Sequence, residues 1–203
     1  MTEDMWAFER QAAARGYARV CGCDEAGAGP LAGPLYAAAV ILPLGLVLPG
    51  LDDSKKLTEK RREALFPVIQ ERAVAWAVAR VEAAEIDETD ILSARMKAMQ
   101  LAMDQLTPAP DFALIDGNRD RGKSAAITTP HRTIVKGDSL SASIAAASIL
   151  AKVSRDRWMV KAAEEYPEYQ FQKHKGYGTK LHYEMLRTYG PSPIHRRSFL
   201  KNL

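Results

Sequence analysis

The 203 residues, 47% of them apolar, are enough to bury one substantial core, and the net charge of +3 leaves the chain close to neutral. The longest apolar stretch, Leu35 to Leu51, is broken by Pro43 and Pro49 and carries Gly45 and Gly50. It therefore cannot supply the roughly 20 apolar residues that a membrane helix needs. The N-terminus, Met1-Thr2-Glu3-Asp4-Met5-Trp6, is acidic where a secretory signal is basic, and no apolar segment follows it, so a cytoplasmic, membrane-free protein is expected.

In chain order, residues 3–15 read as a short amphipathic helix ending at Gly16, and Tyr17 to Cys23 as a strand. Cys21 and Cys23 provide half of the four ligands usual for zinc, and they alternate with Val20 and Gly22 as small residues of a buried strand do. Gly27-Ala28-Gly29-Pro30-Leu31-Ala32-Gly33-Pro34 is too rich in Gly and Pro for regular structure and reads as a tight loop, and Tyr36 to Leu42 follows as a central strand. Thr58 caps a helix with an apolar stripe at Leu65, Ile69 and Ala73, in which Pro67 introduces a kink. Val74 to Val81 fits a third strand, Ile91 to Leu106 a helix, and Phe112 to Asp116 a short strand with an acid at its end. Thr133 to Lys136 is another strand. The pattern from Ser139 to Glu165 is helical, with the small-residue run Ser143 to Ser148 able to lie close against a sheet. Further helices are expected over 179–189 and around 193–198.

Strands interleaved with helices indicate an α/β fold with a mixed sheet covered by helices. Neither repeats nor linkers divide the chain, so 1–203 reads as one domain, with 160–203 as its helical C-terminal extension. Charge is unevenly spread. Residues 130–203 carry 13 basic and 6 acidic residues, against 15 and 19 in residues 1–129, so the C-terminal third is a candidate polyanion-binding face.

Asp24-Glu25, Asp116 and Asp138 all fall at the ends of strands, where chemistry is displayed in such folds. Converging carboxylates repel one another unless a cation neutralises them, and hard oxygen donors without His or Cys point to magnesium or manganese. Two such ions about 4 Å apart suit in-line hydrolysis of a phosphodiester. Taken singly, each acid is equally a cap or a surface charge; Asp138, before Ser139, would serve well as a helix cap.

Six blocks carry a stronger signal: Asp24 to Leu31, Asp53 to Leu57, Ile115 to Asn118, Lys136 to Ser139, Ala145 to Val153 and His174 to Thr179. Together and in this order they resemble ribonuclease HII, the bacterial type 2 ribonuclease H. The resemblance implies a ribonuclease H-like fold and endonucleolytic cleavage of the RNA strand of RNA–DNA hybrids. It extends to single ribonucleotides in duplex DNA, cut to leave 3′-hydroxyl and 5′-phosphate ends, the chemistry of ribonucleotide excision repair. It implies that Asp24, Glu25, Asp116 and Asp138 are the catalytic acids and hold two divalent ions. It gives Gly27, Ala28 and Gly29 the loop whose backbone approaches the ribose 2′-hydroxyl, Lys55 and Lys136 contacts with phosphates, and Tyr177 a stacking contact with the neighbouring sugar. Ala28 departs from the family, which usually has arginine there, and a fork of donors to phosphate is lost. Lys175, Arg196 and Arg197 are further phosphate candidates on charge alone. His174 is not expected to bind metal, and His131, His182 and His195 are read as surface or structural groups. A monomer without a clamp-docking peptide is expected. Two other readings are another two-metal nuclease of this fold, such as a junction resolvase, and a hybrid-binding protein with weakened catalysis.

Overall fold

In a computed structural model, residues 4–117 and 122–200 are described. Asn118, in the third block above, and the first residue of the expected N-terminal helix lie outside them. Five strands form one mixed sheet in the order β3-β2-β1-β4-β5: β1 Val20–Ala26, β2 Leu35–Ile41, β3 Ala75–Val81, β4 Phe112–Asp116 and β5 His131–Ile134. β2 runs antiparallel to both β1 and β3, whereas β1, β4 and β5 run parallel. The α/β class with a mixed, helix-covered sheet is as expected.

The alternation of strand side chains divides the core in two. Cys21 and Cys23 of β1 face the same way as Ala37 and Ala39 of β2 and Ile115 of β4, and α4 (Ile91–Asp104) covers this side with Met96, Met99 and Met103. Both cysteines are fully buried, free thiols. On the other side α5 (Ala142–Glu165) and α2 (Glu59–Arg72) cover Ala38 and Val40. α5 lies very close to β1. A Cβ built on Gly22 would meet the backbone carbon of Ser143 at 2.1 Å, so glycine below a run of small residues is what permits the approach.

α2 begins as expected, with the Thr58 side chain accepting from the Arg61 amide, and Pro67 lies inside it. α1 (Ala7–Ala14) is tied to α5 by Glu9, whose Oε1 accepts from the Ser141 hydroxyl at 2.6 Å and from the Ser143 amide at 3.1 Å. Between β3 and α4 lies the short α3 (Ala83–Glu88), and after α5 come α6 (Phe171–His174) and α7 (Lys180–Tyr189).

Four boundaries differ from expectation. β1 starts at Val20 because the amides of Ala18 and Arg19 are taken by the Asp111 carboxylate, and it continues through the acidic pair instead of ending before it. β5 begins two residues early, where His131 pairs with Ala113, and stops before Lys136, which adopts a left-handed backbone at φ 57. α5 starts at Ala142 with Ser141 as its cap, after a short 3-10 turn over Gly137–Ser139. The helix expected around 193–198 is a turn followed by a 3-10 segment, Arg197–Phe199, in keeping with Pro191 and Pro193 fixing the backbone ahead of it.

Candidate active site

The parallel register that pairs Cys23 with Ile115 sets Asp24 beside Asp116 at the adjacent ends of β1 and β4. Asp24 and Asp116 occupy the strand face covered by α5, and the turn before α5 brings Asp138 to the same place. One carboxylate oxygen from each of the three lies within 4.8 Å of the others, and among the described residues this is the sole such group of metal-ligating side chains. Glu25, the next residue along β1, faces the opposite way, toward α4. There Arg95 Nη2 lies 3.0 Å from each of its carboxylate oxygens. The structure thus gathers three of the four expected acids and holds the fourth beside them in an ion pair.

Two of the acids are fixed by backbone amides. Asp24 Oδ1 accepts from the Glu25 amide at 2.7 Å, and Asp116 Oδ1 accepts from the Gly137 amide at 2.6 Å. Burial raises the pKa of Asp24 well above the ordinary carboxylate value, and the negative charges of Glu25 and Asp116 add to it. Asp116 is raised for the same reasons, burial first and Glu25 second, against the opposing pull of the Gly137 and Asp138 amides. The cluster therefore has a deficit of positive charge. Lys55 meets part of it: its Nζ donates to Asp138 Oδ2 at 3.1 Å, although most of the lysine side chain is exposed. Three hard oxygen donors drawn together by the fold, with an ammonium already at one of them, fit a divalent cation.

Asp116, Asp138 and Lys55 line an open groove of about 530 Å³, together with Asp53 and Lys136. Lys136 is exposed at its edge. Gly27 needs its glycine for two reasons, a φ of 93 and the 2.0 Å that would separate its Cβ from Arg155 Nε. Gly29 has no such need. A Cβ there would meet nothing within 4 Å, so nothing in the fold calls for glycine at this exposed position. Ala28 between them is half-buried against the α4-side core.

Two arginines hold this loop, and the sequence reading missed their role. Arg196, a phosphate candidate on charge alone, is fully buried and does not face solvent; it donates to the carbonyls of Gly27, Ala28 and Gly33. Arg155, equally buried, donates to those of Ala32, Pro34 and Lys175. Burial, and secondarily the charge of Arg155, pulls the Arg196 pKa down to about 9. Of the other charge-based candidates, Lys175 turns its Nζ to the Gln172 carbonyl and Arg197 is exposed, with its amide on Asp87.

Tyr177 is 42% exposed, with Lys152 Nζ and Arg155 Cζ each 5.8 Å from its ring centre. Behind it lie three buried imidazoles. His174 stacks on His182 at 4.3 Å, His182 Nε2 lies 2.9 Å from His195 Nε2, and His182 Nδ1 lies 2.9 Å from the Tyr177 carbonyl. Because the Gly176 amide donates to His174 Nδ1 and the Ser192 amide to His195 Nδ1, these rings are held neutral. They are structural supports for the Tyr177 turn. His131 is half-buried beside the Thr129 carbonyl.

With this geometry in place, similarity to known proteins decides the family. The model of the family Ribonuclease HII matches residues 21–202. The chain belongs to the ribonuclease HII family. A ribonuclease HII of Geobacillus kaustophilus is 51% identical over 197 residues, covering 97% of this chain and 74% of the relative. One from Caldicellulosiruptor bescii is 49% identical over 201 residues, 99% of this chain and 96% of the relative. Among solved structures, the ribonuclease H2 of Pyrococcus horikoshii OT3 superposes with a TM-score of 0.74 at 28% identity, covering 89% of this chain and 93% of that one. As a member of ribonuclease HII the protein is a hydrolase, a metal-dependent ribonuclease H endonuclease of ribonuclease H-like fold, from a family that acts on RNA–DNA hybrids. Among its described residues no helix is long and apolar enough to cross a membrane.

Proposed function

We propose that this ribonuclease HII cuts the RNA strand of RNA–DNA hybrids, and cuts 5′ of single ribonucleotides in duplex DNA, leaving 3′-hydroxyl and 5′-phosphate ends. The observation that carries the proposal is the group Asp24, Asp116 and Asp138, mutually within 4.8 Å at the ends of two parallel strands, in a chain whose family is a metal-dependent nuclease. These three acids, together with Glu25 at their edge, are the catalytic residues and hold two divalent ions, magnesium or manganese. When bound, such ions activate a water and stabilise the charge that develops on the scissile phosphate.

The protein's own groups place the substrate. Gly27 and Gly29 bring backbone amides to the ribose 2′-hydroxyl, the group that distinguishes RNA from DNA; an exposed glycine at 29 that the fold does not require supports this role. Arg196 and Arg155 support it further, since they take the loop's carbonyls inward and fix the loop against the core. Lys55 and Lys136, on the groove, contact phosphates, and the exposed ring of Tyr177 stacks on the sugar next to the ribonucleotide. Ala28 offers no side-chain donor, so phosphate binding here is weaker than an arginine at this position would give. The chain works as a cytoplasmic monomer and a single domain over 1–203, its C-terminal part from 160 onward carrying Tyr177.

The test is cleavage of a labelled RNA–DNA hybrid, single-stranded RNA and the matching DNA duplex, each with magnesium, with manganese and with EDTA. The proposal expects multiple turnover on the hybrid alone and only with a divalent ion. Tight hybrid binding without cleavage would favour instead the reading suggested by Ala28, a binding protein with weakened catalysis.

A further inference from the structure

The most unusual charge arrangement near the site is on the side of the sheet away from α5. Arg95, on α4, reaches past Ala94 and Met96, both buried in the core, and places Nη2 3.0 Å from both oxygens of Glu25. The two side chains are only 15% and 13% exposed, so this pair is shielded far more than a surface ion pair. The same Nη2 lies 3.6 Å from where a Cβ of Gly117 would stand, so the guanidinium rests against the residue that follows Asp116. One cation thus pairs with the acid near the end of β1 and lies close to the residue that follows β4. Among the described residues its Nε is buried without a hydrogen-bond partner, and the contact with Glu25 orients the group.

We infer that Arg95 is a positioning residue for Glu25: it holds that carboxylate at the edge of the Asp24, Asp116 and Asp138 group and competes with the divalent ion for its oxygens. The inference rests on the metal reading given above. Four acids are then divided by the sheet into three that converge and one that is pre-engaged. Arg95 is a shielded cation on the α4 side, whereas Lys55 is a mostly exposed one on the other. A charge that cannot leave lowers ion affinity while keeping Glu25 in one orientation for turnover. Affinity and rate therefore respond in opposite directions when it is removed, a pattern that simple damage to the fold does not produce.

The test compares wild type, Arg95→Gln and Arg95→Lys. Manganese binding is measured by titration calorimetry without substrate, and kcat on a hybrid at saturating metal. Arg95→Gln frees Glu25 and removes a positive charge, so it should bind manganese about tenfold more tightly and turn over about tenfold more slowly. Arg95→Lys keeps the charge and should bind manganese within about threefold of wild type, with kcat between the other two. Thermal melts check that the variants fold, and the lysine variant carries the test alone if the glutamine variant does not. Manganese binding to Arg95→Gln that is equal to or weaker than wild type would overturn the inference. So would an Arg95→Lys protein that binds the ion about tenfold more tightly. If wild type itself bound no manganese, the metal reading of the site would fall as well.

Discussion

Replacing Asp24 by Asn should make the metal-free protein more stable while abolishing its activity. Asp24 is buried, 3% exposed, with two further carboxylates within 4.8 Å. Two unit charges at that distance repel by about 3 kcal/mol at an effective dielectric of about 20. Attraction to Lys55 offsets part of this, and an Asn Oδ1 can still accept from the Glu25 amide at the 2.7 Å seen for Asp24. The expected net gain is about 1–3 kcal/mol, or a rise of about 3–10 °C in Tm for a domain of this size. The sign follows from linkage. The folded-state pKa of Asp24 lies above the ordinary 3.8, so its neutral form is the one the fold favours. The difference between variant and wild type should therefore be absent below pH 3.8 and grow as pH rises through the raised folded value. Thermal melts in EDTA from pH 4 to 8 measure this. Adding manganese should then stabilise wild type by about 2.7 kcal/mol at a hundred times its Kd, and the variant much less. An Asp24→Asn protein less stable than wild type in EDTA at neutral pH would refute the idea that the acids are held together against their own repulsion.

Two glycines should separate fold from function. Gly22→Ala, with its Cβ driven into Ser143 backbone at 2.1 Å, should cost at least about 1–3 kcal/mol in urea unfolding, whereas Gly29→Ala should melt like wild type yet cleave hybrids more slowly. Ala28→Arg should raise kcat/KM and steepen the salt dependence of hybrid binding, and an unchanged value would remove the loop from phosphate binding. Tyr177→Phe should reduce cleavage mildly and Tyr177→Ala strongly; equal losses would exclude ring stacking. His182 and His195 are held by burial at pKa values of about 4, below the ordinary 6.5. The unfolded chain then takes up protons first as pH falls, so stability should drop by about 1–2 kcal/mol per histidine between pH 6.5 and 5. Urea unfolding at pH 7.5 and 5 measures this, and His195→Gln should show a shallower fall.

Much of this was legible in the sequence because local signals agreed with the fold. Phe112 to Asp116 is an apolar run closed by Gly117, and it forms β4 over those residues. Thr58 and Thr179 cap the helices that follow them. Other features depend on contacts that the chain order does not display. That Asp111, 92 residues away, takes the Arg19 amide and delays β1 has no local signature. The charge of Arg196 suggested a surface contact, but five loop carbonyls, three bound by Arg196 and two by Arg155, draw both guanidiniums inside. The division of the acids was readable in part. Consecutive residues of a strand face opposite sides, so Asp24 and Glu25 leave β1 in opposite directions and Glu25 meets the group of three only from its edge. What that rule cannot supply is Arg95, a single cation on a helix 70 residues further on.

The most direct measurement is product mapping on a DNA duplex carrying one ribonucleotide, with magnesium and excess substrate. The account predicts repeated cleavage at one phosphodiester, on the 5′ side of the ribonucleotide, leaving a 3′-hydroxyl and a 5′-phosphate, and none when Asp24, Asp116 or Asp138 is changed to Asn. Cleavage that persists in those variants, or an all-DNA duplex cut equally well, would contradict it.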